Sequence, residues 1–155
     1  MEVFRIEKKH FLPTILDGIP GEKFSFRWNS KGHPVVYAAS SRSLALIEKM
    51  ANIGMHYGGI PDAFVIVIID IPDHTYRKID SVNLPENWNA LDEYSLQTQD
   101  IGDTFLGSEK LALHVPSVIV HGEYNVLLNP AVIKGKKVLW RTENIDARLQ
   151  WQLNP

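Results

Sequence analysis

The run AFVIVIIDI at residues 63–71 constrains the fold more than any other feature of the sequence. It is apolar and β-branched, and it does not alternate. A strand of that composition is buried on both faces, so material must cover each side of the sheet it joins. The unbroken apolar part spans residues 63–69, far short of the ~20 residues needed to cross a bilayer. A chain of 155 residues can supply the cover. At that length folding buries roughly 68–70% of the surface exposed by the unfolded chain, enough for one sizeable core. The expectation is a single domain over residues 1–155.

Composition narrows the chemistry. The chain has no cysteine, which removes a disulfide scaffold, a thiolate nucleophile, a thiolate zinc site and an iron–sulfur cluster. Sixteen Lys and Arg against 18 Asp and Glu give a formal charge of −2. That balance argues against a protein whose main task is to hold nucleic acid or an anionic membrane. The one basic cluster, Lys134 to Lys137, reads as a turn between strands. The N-terminus interleaves charged and apolar residues and has no signal-peptide core, so the expectation is a soluble cytoplasmic domain.

Residues 3–6, 35–39, 75–79, 111–115, 118–120, 125–128 and 137–141 read as further strands, and the tail 145–153 as a loose last one. Residues 8–16 suggest a short helix broken by Pro13, Gly18 and Pro20, followed by a polar loop over 21–34. A helix capped by Ser40 or Ser41 runs to about His56, with Leu44, Ile47, Ala51 and Met55 expected to face the core. A second helix is predicted over 96–106. Strands outnumber helices and do not alternate regularly with them, so the class is α+β with a mixed, strand-rich core.

No G-x-S-x-G, H-E-x-x-H, P-loop or G-x-G-x-x-G signature is present, and the six histidines lack metal-ligand spacing. No metal site is expected. Several polar residues do stand in structured places. Arg27, between aromatics in FSFRWN, either covers apolar surface with its stem or clamps a diphosphate or carboxylate. Tyr37, in VVYAAS, is a core tyrosine or a ring platform. Glu48 sits at the edge of the helical apolar face and is either a solvated carboxylate or a site residue. Ser117 interrupts the apolar HVPSVIV and needs a partner for its hydroxyl. Asn125 and Asn129 flank an apolar run, and Asn129 before Pro130 is a natural turn residue.

In order along the chain, RWNSKGHPVVYAASS, the helix with Glu48, LPENW, IGD, VPSVIV and NVLLNP resemble the RES domain, named for its recurrent Arg, Glu and Ser. The resemblance runs from Phe4-Arg5-Ile6 to IDARL in the tail. It implies a fold similar to ADP-ribosyltransferases. It also implies the toxin role in a bacterial Xre–RES toxin–antitoxin module, and consumption of NAD⁺ by hydrolysis or phosphorolysis. The family's Arg, Tyr, Glu and Ser match Arg27, Tyr37, Glu48 and Ser117 as catalytic residues, and its Asn matches Asn125. Arg27, Tyr37, Ser117 and Asn125 would contact NAD⁺. The implied partner is an Xre-family helix-turn-helix antitoxin that covers the active-site entrance and leaves no DNA contact to this chain. ADP-ribosylation of a specific protein, and a non-catalytic partner-binding role, are the two alternatives. One departure is visible: Ser25 and Phe26 stand where family members often carry Gly-Gly.

Overall fold

The computed structural model describes residues 1–53, 60–61, 64–72, 76–90, 95–146 and 150–151. The first strand, β1 (Glu2–Lys8), leads through a 3₁₀ turn to the short helix α1 (Ile19–Lys23), then β2 (Val36–Ala39) and the helix α2 (Arg42–Ile53). Next come β3 (Ile60–Pro61), β4 (Phe64–Asp70), β5 (Tyr76–Lys78) and α3 (Leu96–Leu106). The chain continues with β6 (Ala112–Pro116), β7 (Tyr124–Leu128), α4 (Pro130–Ile133), β8 (Leu139–Asn144) and β9 (Gln150–Trp151). Seven strands form one sheet in the order β5-β6-β7-β2-β1-β4-β8, and β3 pairs with β9 in a second, two-stranded sheet. Within the large sheet β5 and β6 are parallel, and the remaining neighbours are antiparallel. The class is the α+β one expected.

The apolar run is β4, and it is buried on both faces from Phe64 to Ile69. Its alternate side chains feed two cores. Val65, Val67 and Ile69 pack with Val3, Val36 and Leu128, and with Ile133 of α4. Phe64, Ile66 and Ile68 pack with Phe4, Ile6 and Leu44 of α2. A third core gathers Trp28, Phe105, Leu113, Val115 and Leu127 beneath α3.

Several expectations need correction. On α2, Leu44 is buried, but Ile47 is 43% exposed and Ala51 is exposed. Ala45 is buried instead, with Leu46 and Met50 packed against the same core. The helix has rotated its apolar stripe because its neighbours are β1 and β2, and a single helix cannot report that orientation. Met55 lies outside the described residues. Pro20 does not break a helix. It occupies the first turn of α1, where its missing N–H costs nothing. Residues 118–120 are not a strand, because the Ser117 hydroxyl accepts from the Ile119 and Val120 amides at 3.1 and 3.0 Å and turns the chain. Of the tail 145–153, only residues 150–151 are described as strand.

Candidate active site

The site forms where the large sheet divides. β1 pairs with β4 at seven positions, from Glu2↔Asp70 to Lys8↔Phe64. β2 pairs with β7 at four, from Val36↔Leu128 to Ala39↔Asn125. Between β1 and β2 the register holds only Phe4↔Ala39. Beyond that pair the strands part, and a cleft of about 790 Å³ opens between them. That volume lies within the roughly 300–1,000 Å³ usual for small-molecule sites. Arg27, Tyr37, Glu48 and Asn125 all line it.

Glu48 is carried by α2, whose start is fixed by Ser41. The Ser41 hydroxyl accepts from the Leu44 amide at 3.1 Å, as an N-cap does, and donates to Glu123 at 3.2 Å. Two side chains then converge on one carboxylate oxygen. The Ser117 hydroxyl donates to Glu48 Oε1 at 2.8 Å and the Asn125 amide donates to the same atom at 2.5 Å. Among the described residues Oε2 takes no hydrogen bond. Ser117 is itself buried and, unlike Arg27, Tyr37, Glu48 and Asn125, is not among the residues that line the cleft. It reaches the site through Glu48 and not by the direct NAD⁺ contact expected of it.

Arg27 and Trp28 are the middle residues of a tight turn closed by Phe26 N–H to Asn29 O at 2.9 Å. Its guanidinium donates to the Trp88 and Ala90 carbonyls at 2.5 and 2.7 Å, which fixes its plane at the cleft wall. Trp28 is buried in the core below. Tyr37 is held at both ends. Its hydroxyl donates to Asn29 Oδ1 at 2.8 Å and accepts from the Trp28 amide at 3.3 Å. Its carbonyl accepts from Arg5 at 3.2 Å. Phe26 stands edge-on to the Tyr37 ring, 5.8 Å between centroids, so Phe26 becomes part of the aromatic wall. Asn129, by contrast, lies away from the cleft and caps α4 through Ala131 N–H.

Other residues that shape the site stood in the quoted motifs, Asn29 in RWN, Gly102 and Asp103 in IGD and Arg5 in FRI, without a role assigned to them. Gly102 lets α3 touch the Arg27 turn: a Cβ there would lie 1.7 Å from the Trp28 carbonyl oxygen. Asp103, one residue on, accepts from the Ser30 amide at 3.1 Å and from the Ser30 hydroxyl at 2.5 Å. Asn29 is fully buried and donates to the Gly21, Phe24 and Ser30 carbonyls. On β1, Arg5 donates to Glu7 Oε2 through two nitrogens, at 3.2 and 2.6 Å. Lys49 stands 3.9 Å from Glu7 Oε1. Burial works against the Glu7 charge, but the Arg5 charge and hydrogen bond, with Lys49 and the Lys8 amide, outweigh it and hold the carboxyl below its ordinary range. Burial pulls the Lys49 ammonium below its usual range, against the raising effect of Glu7. The signal for the pair was present in the sequence as a charged R-I-E alternation inside an apolar strand.

This arrangement can hold a polar ligand between a guanidinium and a carboxylate, with aromatic rings beside it. Among the described residues no group of three or more His, Asp or Glu side chains could hold a metal ion.

The RES domain model matches residues 2–152. A Yersinia enterocolitica protein named Toxin Res is 37% identical over 131 residues, 84% of each chain. A Photorhabdus laumondii protein of the same name is 32% identical over 147 residues, covering 94% of this chain and 92% of that one. A Sphingobium protein named Prs ADP-ribosylating toxin is 38% identical over 121 residues, 72% of this chain and 73% of its own. Among solved structures, a chain in the crystal structure of the M. tuberculosis MbcT–MbcA toxin–antitoxin complex aligns with a TM-score of 0.72. That alignment covers 93% of this chain and 83% of the other at 17% identity, so the likeness is one of fold. A family match across nearly the whole length, joined by relatives above 30% identity, means that the chain belongs to the RES domain family.

Proposed function

We propose that the protein is a toxin that cleaves the bond between nicotinamide and ribose in NAD⁺, with water or phosphate as acceptor. The observation that carries the reading is the state of Glu48. Ser117 and Asn125 both donate to Oε1, which orients the carboxylate and leaves Oε2 for substrate. Nicotinamide leaves as a neutral ring and takes the bonding electron pair, so no strong acid is needed. Positive charge develops on the ribose, where a fixed carboxylate stabilises it. Water then yields ADP-ribose and a released proton, and phosphate yields the ADP-ribose phosphate ester. Arg27 offers a planar cation to the diphosphate. Tyr37 and Phe26 offer ring surface to the nicotinamide, and Asn125 and Ser117 keep the carboxylate in place.

A second reading, transfer of ADP-ribose to a protein side chain, uses the same donor site. The name of the Sphingobium relative, Prs ADP-ribosylating toxin, favours it. An Xre-family antitoxin is the proposed partner and the cytoplasm the proposed location. The fold shared with a chain of a toxin–antitoxin complex supports such a partner.

Purified protein incubated with NAD⁺, with and without phosphate, should release free nicotinamide. Undiminished NAD⁺ in both conditions, and no labelled band when labelled NAD⁺ is added to lysate, would sink both readings and leave a non-catalytic binding role. One discrete labelled band with little free ADP-ribose would favour transfer. Arg27→Ala should remove most of the activity while the protein stays folded.

A further inference from the structure

We infer that Arg5 is a positioning residue: it braces the cleft across the break in the sheet and thereby sets where Tyr37 stands. The inference rests on the NAD⁺-cleavage reading. β1 and β2 share one backbone pair, Phe4↔Ala39, and the register stops before Tyr37. Each strand is otherwise fully engaged with its outer neighbour. Backbone pairing therefore does not fix the separation of β1 from β2 at the level of Tyr37. Arg5 spans that gap. One terminal nitrogen donates to the Tyr37 carbonyl on β2. The other terminal nitrogen and Nε hold Glu7 Oε2 on β1 itself.

Glu7 makes the brace rigid. Its second oxygen accepts from the Lys8 amide at 3.0 Å and faces Lys49 of α2. Lys49 in turn lies 4.8 Å from the centre of the Phe64 ring. The Arg5, Glu7 and Lys49 side chains are 16%, 12% and 23% exposed, so water competes weakly with these contacts. The brace thus joins β1, β2 and α2, the three elements that carry the cleft's inner wall. Its task differs from that of Arg27, which sits in its own turn between Phe26 and Asn29.

Two arrangements are separable by experiment. If Arg5 acts by bracing, loosening it displaces Tyr37, and NAD⁺ binds less well. If Arg5 instead grips the substrate directly, freeing it from Glu7 should tighten binding. The test measures kcat and KM for nicotinamide release from NAD⁺, with melting temperature, for the unaltered protein and for Arg5→Gln, Arg5→Lys and Glu7→Gln. Bracing predicts that Arg5→Gln raises KM about tenfold, the scale of one lost charge-assisted hydrogen bond. Arg5→Lys, which keeps a donor, should recover part of the loss. Glu7→Gln, which keeps Arg5 but weakens its anchor, should also raise KM. A lower KM in Glu7→Gln would overturn the proposal in favour of direct contact. An unchanged KM in Arg5→Gln, with only less active protein, would overturn it in favour of a purely structural role. Should Arg5→Gln fail to fold, a KM in Arg5→Lys equal to that of the unaltered protein overturns it equally. Absence of NAD⁺ turnover in the unaltered protein would instead defeat the functional reading and this inference together.

Discussion

Two donors on a single carboxylate oxygen make Glu48 an asymmetric group. A side chain with both oxygens in water would spend most of its time in other rotamers, and its charge would be screened. Here the direction of the free oxygen is set before any ligand arrives, which is the condition for electrostatic stabilisation of a charge that appears only in the transition state. Glu48→Gln keeps the shape but removes the charge. Turnover should fall about 10²- to 10³-fold, the usual loss when such a stabilising group is removed, with the melting temperature little changed. Nicotinamide release at saturating NAD⁺ measures it, and a folded variant with normal turnover would refute the assigned role. Asn125→Ala should leave the charge and lose the orientation, so its turnover should lie between the two. At this scale the sequence was informative only in aggregate. Arg27, Tyr37 and Glu48 each had an ordinary explanation when taken alone, Ser117 showed only a hydroxyl in need of a partner, and only the order of motifs brought them forward together. Arg5 and Glu7 were visible as charges in an apolar strand, but the partner that explains Arg5 is a carbonyl thirty-two residues away.

Elements set these side chains through a few close contacts. α3 approaches the Arg27 turn backbone to backbone, because Gly102 has no Cβ to collide with the Trp28 carbonyl. Asp103 then bonds Ser30 at the end of the same turn. Gly102→Ala cannot be absorbed by a side-chain rotation, since the obstacle is main chain. It should cost about 3 kcal/mol, the upper part of the range for overpacking, read from the denaturant midpoint. It should also lower activity, because the displaced turn carries Arg27. Retained stability would show that α3 can slide on the turn. The helix itself was legible to its ends over residues 96–106, and in the structure Ser95 caps it, its side chain accepting from Gln97 N–H. α2 was legible in its start after Ser41 but not in orientation, and its expected end near His56 lies outside the described residues. Its period allowed more than one apolar stripe, and the choice belongs to β1 and β2, which its own residues do not encode. The turn after Pro116 was missed for a related reason: one hydroxyl accepting two amides outweighed the β-branched character of VIV.

The whole molecule depends on how the two halves of the large sheet are joined. One backbone pair and the Arg5–Glu7 brace cross the line between β1 and β2. This division could not be read from local pattern, because each strand looks complete by itself and only the pairing reveals the gap. It does have a consequence in solution. In the folded protein the Glu7 carboxyl is held below its ordinary range, with Arg5 and Lys49 overcoming the effect of burial. Glu7 therefore contributes stability that is fully present above the unfolded carboxyl's pKa. As the pH drops, the unfolded chain takes up this proton first. The contribution is then lost as pH falls through the folded value. Glu7→Gln has no such proton to bind. Near neutral pH the variant should be less stable by about 1–3 kcal/mol, since Arg5 keeps its charge and loses its carboxylate. On acidification the two stability curves should converge across the carboxylate range, as the unaltered protein loses what the variant never had. Denaturant midpoints taken at successive pH values measure this. Curves that stay parallel would mean that the brace contributes nothing to joining the two halves, and that the pair Phe4↔Ala39, with the helices packed across it, suffices alone.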